Sequence, residues 1–296
     1  MSDLRLAEQI ADGLGLDLTA DGPAPGGQGR TFYGRLAGRP VAVKWGLDPD
    51  LPEKIPYVAA QAGELRRRGC PVPAVIACGR LDEARYAWVM ERLPGKSADR
   101  LDAVLLGQLV SLIGRMAGAP ARPHRRHDDG YDWVPGVVFD DDAGWWRTAA
   151  GMGPDVVRFC RRLRAWVGSE RPAARHDYVH LDLNLSNVLV AGGRITGIVD
   201  IENLGVGDRA VDVATLAFDW LWLERAGRGG QAPDAFRTLV ALGHEVSTPA
   251  GWRTAVAYLL IARLGWRSDH EMAIDPMDEF PVCEDFLDAV ERSEDS

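Results

Sequence analysis

The alternation of apolar and polar residues divides the chain into two differently patterned parts. Short alternating strands, separated by glycine-containing turns, are predicted over 16–20, 30–36, 40–45, 75–81 and 85–93. Beyond them, apolar residues recur at helical spacing over 101–116, 155–167, 236–246 and 252–266. We therefore predict an α+β chain. A small antiparallel β-sheet lobe with one helix would occupy residues 1–93, and a larger, mostly helical lobe residues 94–296.

A separate β-hairpin is predicted inside the helical part. Two short apolar runs flank the Gly-Gly pair at 192–193, a pattern typical of a tight hairpin turn. Asn187 directly precedes the first run and Asp200 follows the second, so the hairpin is expected to bring these side chains together. Asp182 lies five residues before Asn187 in a polar loop. Two acids and an amide supply the hard oxygen ligands that Mg²⁺ prefers, which indicates a functional site.

Composition and charge narrow the class of protein. With 46% hydrophobic and 26% charged residues, the chain is typical of water-soluble globular proteins. No apolar run approaches a membrane span and the first residues lack a signal-peptide pattern, so a cytoplasmic location is predicted. The four cysteines lack metal-ligand spacing and are interpreted as free thiols. A net charge of −9 argues against nucleic-acid and anionic-membrane partners. We expect a monomer or weak dimer.

The spacing around Asp182 is that of a phosphotransferase motif. Protein kinases carry H-R-D-x-x-x-x-N, in which the Asp addresses the acceptor hydroxyl and the Asn binds metal, followed by a second metal-binding Asp. Here His180, Asp182 and Asn187 keep those intervals, and Asp200 stands at the position of the second metal ligand. No Asp-Phe-Gly triplet follows.

The motif blocks resemble the aminoglycoside phosphotransferase and choline kinase branch of the protein kinase-like fold. That branch reads roughly H-G-D-x-x-x-x-N, then I/V-D-W-E, G-D-P and D-L/V-A. This chain reads Asp-Ile-Glu-Asn at 200–203, Gly-Asp-Arg at 207–209 and Asp-Val-Ala at 212–214. Leu181 replaces the usual Gly and Arg209 the usual Pro, and neither change removes a reacting group. The resemblance implies a protein kinase-like two-lobe fold.

The resemblance also implies roles for these residues. Asp182 would orient the acceptor hydroxyl and take its proton, while Asn187 and Asp200 would bind Mg²⁺. Glu202 would back up the metal or touch the acceptor, and the sequence leaves both open. Asp212, expected to cap a helix that runs to 222, would brace the catalytic loop. The supporting positions are His180, Gln61, Glu202 and Asp212.

The first lobe carries motifs of phosphate binding. A glycine-rich loop between the first two strands would cover the nucleotide phosphates with backbone N–H groups. Its cofactor-binding positions are Gly26, Gly27, Gln28 and Gly29. The Val-Ala-Val-Lys run ending at Lys44 resembles the lysine motif of the third strand, so Lys44 would hold the α- and β-phosphates.

The apolar strand that stops at Pro94 resembles the hinge that binds the nucleotide base. Met90 would abut the adenine, and the backbones of Glu91 and Leu93 would hydrogen-bond its edge. We expect ATP as donor, with GTP also compatible. The helix predicted at 56–68 supplies a glutamate partner for the lysine in relatives.

That helix offers two candidate partners for Lys44. Glu64 lies too near its end for the usual register, whereas Gln61 shares a face with the apolar residues Val58 and Leu65. A glutamine there would hydrogen-bond Lys44 without cancelling its charge. The sequence leaves the partner of Lys44 open.

Two acid-rich stretches are candidates for acceptor binding. Six aspartates lie within 128–142, and the last thirty residues carry eleven acids against two arginines. Acids and aromatic rings around a cleft attract a polycation. The candidate residues are Asp128, Asp129, Asp132, Trp133, Asp275, Asp278 and Glu279. The alternative is a solvated loop and a disordered acidic tail after Phe286.

We expect an ATP- and Mg²⁺-dependent O-phosphotransferase acting on a small cationic hydroxyl compound, an aminoglycoside or basic peptide antibiotic. The first alternative is a metabolic kinase of the same fold that acts on an amino alcohol, a sugar or an amine-bearing metabolite. The second is a nucleotide-binding pseudokinase or regulator, which the intact Lys, Asp, Asn and Asp set argues against. Protein kinase activity is disfavoured because no Ala-Pro-Glu segment follows Asp200.

Overall fold

The structure is a computed structural model that describes residues 10, 13–23, 31–46, 51–80, 85–119, 130–140, 147, 151–228, 232, 234–269 and 276–294. The chain divides into two compact units. The first unit takes Met1–Lys96 and Leu189–Leu204, and the second takes Ser97–Val188 and Gly205–Ser296. The division expected at residue 93 had assigned the whole hairpin region to the second part. The structure assigns 189–204 to the first.

The first unit is built on a five-stranded antiparallel sheet in the order β1-β2-β3-β5-β4. Its strands are β1 (Leu18–Pro23), β2 (Thr31–Leu36), β3 (Arg39–Gly46), β4 (Val75–Arg80) and β5 (Tyr86–Glu91). One helix, α1 (Leu51–Arg67), lies between β3 and β4 and contacts β4. The small antiparallel sheet lobe, predicted from alternation and glycine punctuation, is confirmed over the described residues, and besides α1 the residues Ile10, Gly13 and Leu14 are also helical.

The pleat of β3 and β5 directs alternate side chains to two opposite faces of the sheet. Val43 pairs with Val89, and both side chains are fully buried in the apolar core of this unit. Successive side chains of a strand point to opposite faces. Lys44 and its cross-strand partner Trp88 therefore lie on the other face, as does Met90. The strand pattern thus places the phosphate-binding and base-binding candidates on one surface.

The predicted hairpin forms from β8 (Val188–Ala191) and β9 (Arg194–Ile198), which lie next to each other in the sheet order β6-β8-β9, with β6 at Lys96–Ser97. Gly192 and Gly193 both adopt positive φ, 58° and 73°, as a type I′ turn requires. The Thr196 hydroxyl donates to the Pro94 carbonyl, and the Ile198 N–H donates to the Pro71 carbonyl at 2.8 Å. These bonds attach β9 to the first unit.

The second unit is mostly helical. Its helices are α2 (Ala103–Arg115), α3 (Gly130–Phe139), α4 (Pro154–Val167), α5 (Ala210–Arg225), α6 (Ala235–Val246), α7 (Pro249–Asp269) and α8 (Pro276–Glu294). A short antiparallel pair joins β7 (Asp177–Val179) to β10 (Gly205–Gly207). Helix α5 is central, since its residues from Ala210 to Phe218 are buried and it contacts α6, α7 and α8. The larger helical part is confirmed.

Three details of the second unit differ from the sequence-based expectation. Helix α5 begins at Ala210, so Asp212 lies inside its first turn, and Asp208 accepts the Ala210 N–H at 2.9 Å. The acid-rich 128–142 stretch, for which a solvated loop was the alternative, contains α3. The tail is not disordered after Phe286, because α8 continues to Glu294 and buries an apolar stripe. The stripe consists of Phe280, Cys283, Phe286, Leu287 and Val290.

Two further observations concern composition. All four cysteines are free thiols, as their spacing suggested. Within the described ranges, no helix combines the length and apolarity needed to cross a bilayer.

Candidate functional site

Asp182 lies in the second unit, in the loop before the 3₁₀ turn Leu185–Asn187, and its carboxylate is held on both oxygens. Asn184 Nδ2 donates to Oδ1 at 2.9 Å, and Asn187 Nδ2 donates to Oδ2 at 3.2 Å. Asn187 Nδ2 also donates to the Asp182 carbonyl at 2.9 Å. Since these Asn187 bonds use the amide nitrogen, its Oδ1 is not engaged by Asp182. The carboxylate therefore has a fixed orientation and is partly accessible.

The start of this loop is held by Asp212. Leu181 adopts a left-handed conformation with φ 67°, which costs an ordinary residue roughly 1–2 kcal/mol and explains why relatives use Gly. The N–H groups of His180 and Leu181 donate to the two Asp212 oxygens at 2.8 and 2.9 Å. This is the bracing contact that the resemblance implied for Asp212, although the residue does not cap its helix.

The Asp212 carboxyl group is fully buried, and burial raises its pKa to about 6. The charge of His180 and the two N–H bonds oppose this shift, while the charge of Asp182 adds to it. An ionised acid at this depth is tolerated because hydrogen-bond donors satisfy both of its oxygens. His180 is also buried, at 1% exposure, beneath the loop.

Two residues missed by the sequence analysis complete the loop. The Leu185 N–H donates to Asp219 Oδ2 at 2.7 Å, so a second carboxylate of α5 holds the far side of the loop. Asp219 lies two helical turns after Asp212 and therefore on the same face. The sequence did offer one indication of its role. Asp219 lies among apolar residues of α5, and charged residues are rarely buried without a partner. Asn184 gave no signal beyond its turn-forming character, yet it positions Asp182.

One aromatic residue of the second unit, Tyr258, lies within electrostatic range of the loop. Trp133 Nε1 donates to the Tyr258 hydroxyl at 3.1 Å, which joins α3 to α7. Burial raises the pKa of Tyr258 to about 12, the Trp133 bond opposes the shift, and the charges of Asp182 and Asp212 add to it. Trp133, one of the acceptor candidates, is thus hydrogen-bonded to Tyr258, whose pKa is raised in part by the charge of Asp182.

The other acceptor candidates receive no such support. Asp128, Asp129 and Asp275 lie outside the described residues. Asp132 lies in α3, and Asp278 and Glu279 lie in α8, but their side chains are outside the described part of the structure. Several acids further along α8 pair instead with arginines of α4, α5 and α7. These pairs are Arg162 with Asp288 and Glu291, Arg225 with Asp285, and Arg253 with Glu294.

The first unit contains a charged triad centred on Lys44. Lys44 Nζ donates to Asp200 Oδ1 at 2.6 Å and to Glu202 Oε2 at 2.7 Å. The exposed fractions of these side chains are 18% for Lys44, 41% for Asp200 and 20% for Glu202. Burial lowers the pKa of Lys44, but the two carboxylates outweigh burial and the net pKa is raised.

The triad carries more negative than positive charge. Burial raises the pKa of Glu202, Lys44 opposes this shift, and the charge of Asp200 adds to it. One ammonium therefore does not fully compensate two carboxylates in this setting. This excess of negative charge favours the binding of a cation. Asp200 is the more exposed of the two acids and adopts φ 63°, which directs the chain sharply after β9.

The expected hydrogen bond from Gln61 to Lys44 is not present. Gln61 is 6% exposed, and its amide has no hydrogen-bond partner among the described residues. Glu64 does not reach Lys44 either, because it pairs with Arg67 and Arg68. The physical reason is that an ammonium prefers carboxylates to a neutral amide, and Asp200 and Glu202 supply two.

The hinge candidates lie at the end of β5. Met90 is buried and opposes Ala42, while the Glu91 carboxylate accepts from Arg66 at 2.6 Å. The Glu91 N–H donates to the Ala74 carbonyl at 2.9 Å, so this N–H is used within the first unit. The Leu93 side chain lies against Gly197, where an added Cβ would meet it at 3.0 Å. Gly26, Gly27, Gln28 and Gly29 lie outside the described residues.

Asp200 in the first unit and Asn187 in the second each carry an oxygen of the kind that Mg²⁺ prefers. Asp200 offers a partly exposed carboxylate in a region of surplus negative charge, and Asn187 offers an amide oxygen that Asp182 does not use. Mg²⁺ is commonly held by one or two such protein oxygens, with water and phosphate oxygens completing its coordination. Asn187 belongs to the second unit and Asp200 to the first.

Comparison with known proteins supplies relatives of this chain. It is 33% identical over 171 residues to an aminoglycoside 3'-phosphotransferase of Streptomyces fradiae, which covers 52% of this chain and 60% of that protein. It is 24% identical over 170 residues to a hygromycin-B 4-O-kinase of Escherichia coli, which covers 52% of this chain and 49% of that protein. The chain thus spans about half the length of the curated relatives it matches.

Solved structures share the fold over nearly the whole chain. The crystal structure of aminoglycoside phosphotransferase APH(4)-Ia superposes with a TM-score of 0.66 at 18% identity and covers 98% of this chain and 97% of that one. A microcompartment-associated aminopropanol kinase superposes with a TM-score of 0.65 at 17% identity, with 98% and 95% coverage. Identities this low establish the fold alone.

The family follows from the sequence itself. The sequence model of the phosphotransferase enzyme family matches residues 23–245, which is more than half of the chain. The matched range contains Lys44, Asp182, Asn187 and Asp200, the residues on which the resemblance was first identified. The chain belongs to the phosphotransferase enzyme family.

Proposed function

We propose that this chain is an ATP- and Mg²⁺-dependent O-phosphotransferase that acts on a small cationic hydroxyl compound, an aminoglycoside in the first instance. The observation that carries the proposal is the geometry of Asp182. Both oxygens of its carboxylate are oriented by amides, and the loop backbone is held by buried acids. A carboxylate fixed this firmly and still partly accessible is suited to orienting a substrate hydroxyl.

The proposed reaction moves one phosphoryl group. The acceptor oxygen forms a bond to the γ-phosphorus, and the bond from that phosphorus to the β–γ bridging oxygen breaks, so ADP leaves with the electron pair. The acceptor proton passes to Asp182. Because carboxylates in general are weak bases towards an alcohol, this transfer comes late, and Asp182 acts mainly by orientation.

Lys44 and the residues around it would bind the nucleotide. The ammonium of Lys44 would hold the α- and β-phosphates, exchanging part of its contact with Asp200 for contact with phosphate oxygens. Asn187 and Asp200 would hold Mg²⁺, which neutralises charge on the phosphate oxygens when it is bound. Met90 and the Glu91 carbonyl would contact the base, since the Glu91 N–H is already engaged.

A cationic acceptor is supported by three observations. The two curated relatives are named for aminoglycoside and hygromycin B phosphorylation. The net charge of this chain is −9. In the second unit, Asp182 and Asp219 lie within electrostatic range of each other, and Asp182 also acts on Tyr258, the partner of Trp133. A surplus of carboxylate charge favours an ammonium-bearing ligand.

The test is ADP release across a panel of acceptors. The panel contains aminoglycosides, basic peptide antibiotics, amino alcohols and neutral sugars, with Asp182→Asn as the inactive control. The proposal predicts release only with a polyamine-bearing hydroxyl compound, and an acceptor KM that rises with added salt more steeply than the KM for Mg-ATP. A monovalent amino alcohol or neutral sugar as the best acceptor, with a salt-insensitive KM, would support the metabolic-kinase alternative. No release with any acceptor would support the pseudokinase alternative.

A further inference from the structure

The two acids bound to Lys44 differ in what the proposed reaction asks of them. Asp200 is the proposed metal ligand, so its contact with the ammonium must weaken when a metal binds. Glu202 has no such second task in the structure, and its Oε2 lies 2.7 Å from Lys44 Nζ. With an exposed fraction of 20%, it is also the better shielded acid, which strengthens its attraction for the ammonium.

Glu202 is anchored independently of Lys44. It lies in the 3₁₀ turn Ile201–Asn203, whose first residue is fully buried, and this turn contacts α1. Its second oxygen, Oε1, accepts a long hydrogen bond from the Tyr86 hydroxyl at 3.4 Å. Both carboxylate oxygens are therefore occupied within the first unit, one by Tyr86 and one by Lys44.

A glycine opposite Tyr86 makes this arrangement possible. Gly46 is the cross-strand partner of Tyr86, and a Cβ at position 46 would overlap the Tyr86 hydroxyl and ring. The tyrosine therefore lies across the backbone of β3 at the end that follows Lys44. The end of β3, the start of β5 and the turn after β9 together fix Glu202.

Helix α1 offers no competing partner among its described side chains. Glu64 pairs with Arg67 and Arg68 at the end of the helix, and the Gln61 amide has no hydrogen-bond partner among the described residues. An unsupported lysine has a flexible four-carbon stem and loses rotamer entropy when it is fixed. A partner that stays bound to Lys44 while Asp200 binds the metal would order the lysine side chain before the nucleotide binds.

We propose that Glu202 is the positioning residue of Lys44, held by Tyr86, and that it keeps the ammonium directed at the nucleotide phosphates while Asp200 serves the metal. The inference rests on the proposed nucleotide binding. It differs from roles of Glu202 as a metal ligand or an acceptor contact, because its effect must pass through Lys44. Glu202→Gln should therefore weaken nucleotide binding only when Lys44 is present.

The experiment is a double-mutant cycle on nucleotide binding, measured by calorimetry with ADP and with a non-hydrolysable ATP analogue, each over a Mg²⁺ titration. The variants are Glu202→Gln, Lys44→Met, their combination and Tyr86→Phe. Glu64→Gln is the matched control, because Glu64 is another ion-paired acid of the same unit. Thermal denaturation of each variant confirms that it is folded.

We expect Glu202→Gln to weaken nucleotide binding roughly tenfold, the usual size for a lost hydrogen bond to a charged group. In the Lys44→Met background the same change should have almost no further effect. Tyr86→Phe should produce a smaller loss of the same kind, and Glu64→Gln none. The Mg²⁺ concentration at half-effect should be the same for Glu202→Gln and the wild type.

Three results would overturn the inference. Additive losses in the cycle would show that Glu202 acts independently of Lys44. A shifted Mg²⁺ dependence in Glu202→Gln would make it a metal ligand, and a change confined to the acceptor KM would make it an acceptor contact. A wild type that binds no nucleotide would instead reject the proposed function, and this outcome is distinct from the other three.

Discussion

The Lys44 triad of the first unit and the Asp182 loop of the second are both built from acids, but they are held in different ways. In the triad, the bonds that hold Lys44 join it to charged side chains, and the groups are 18–41% exposed. In the loop, the acids Asp212 and Asp219 accept backbone N–H groups and are buried or nearly so. Side-chain ion pairs exchange partners easily, whereas buried bonds to the backbone are costly to break.

The difference indicates which region changes during the reaction. In the proposed reaction the triad releases Asp200 to the metal and admits phosphate, and contacts that exchange easily allow this. The loop must present one carboxylate in one orientation at every turnover, so its contacts are internal and can stay unchanged. Substitutions in the triad are therefore expected to alter nucleotide binding, and substitutions in the loop to alter turnover.

The largest effect is expected for Asp182→Asn. Loss of the carboxylate that orients and deprotonates the acceptor should lower kcat by about 10²–10⁴-fold. Nucleotide affinity, measured by calorimetry, should remain close to wild type because the role proposed for Asp182 is toward the acceptor hydroxyl and not toward the phosphates. Retention of most of the wild-type kcat would show that the catalytic loop is wrongly assigned.

Lys44→Ala, in the triad, should change both nucleotide binding and turnover. A phosphate contact acts in both the ground and the transition state, so the nucleotide KM should rise and kcat should fall, each by roughly tenfold or more. Steady-state kinetics at saturating acceptor measures both. A change in the acceptor KM alone would contradict the role given to Lys44.

Asp219→Asn should lower kcat about tenfold without changing the nucleotide KM. The loop loses a charged acceptor for the Leu185 N–H, and a small displacement of Asp182 is sufficient to slow transfer. Asp208→Asn is the matched control, because Asp208 is a mostly buried acid of the same unit that binds Ser247 and the start of α5. It should reduce stability but not kcat. Equal kcat losses in both variants would indicate a general structural effect.

The raised pKa of Asp212 leads us to expect that the stability of the folded chain depends on pH. Its pKa is raised from 3.8 to about 6 by burial, so between these values the folded chain holds a proton that the unfolded chain has released. The stabilising contribution of this carboxyl to the free energy of unfolding is therefore fully present below the pKa of the unfolded chain. It is lost as pH rises through about 6. Urea unfolding should show the stability of wild type relative to Asp212→Asn falling by roughly 2–3 kcal/mol between about pH 4 and about pH 7. A pH-independent difference would show that the pKa is not raised.

The smallest effect concerns the acids of α8. Asp288→Asn and Glu291→Gln each remove one exposed pair with Arg162 and should cost less than about 1 kcal/mol. The acceptor KM should not change, because these acids serve the packing of α8 on α4. A raised acceptor KM in either variant would contradict this and would indicate that the acidic residues of α8 belong to the acceptor site.

The sequence was informative where chemistry and spacing are local. The hairpin was predicted from one Gly-Gly pair between apolar runs, and both glycines adopt the positive φ that this turn needs. The interval from Asp182 to Asn187 predicted a shared site, and the two side chains are hydrogen-bonded. In both cases neighbours in sequence are neighbours in space.

Long-range partners and acidic helices were not predictable in the same way. The bond from Lys44 to Asp200 joins residues 156 positions apart, and no local pattern selects Asp200 and Glu202 over Gln61. The partner of Asp219 is a backbone N–H, which every residue but proline carries. Helix α3 contains a proline and one acid, and α8 contains an internal proline and seven acids, and these residues concealed the helical pattern of both segments.

The central claim is tested most directly by identifying the product. The chain is incubated with Mg-ATP and a polyamine-bearing aminoglycoside, and the mixture is analysed by ³¹P NMR and mass spectrometry. The account predicts one phosphomonoester on an acceptor hydroxyl for each ADP formed, and no product with Asp182→Asn. ADP formed without a phosphorylated acceptor, or a phosphoester that persists with Asp182→Asn, would contradict it.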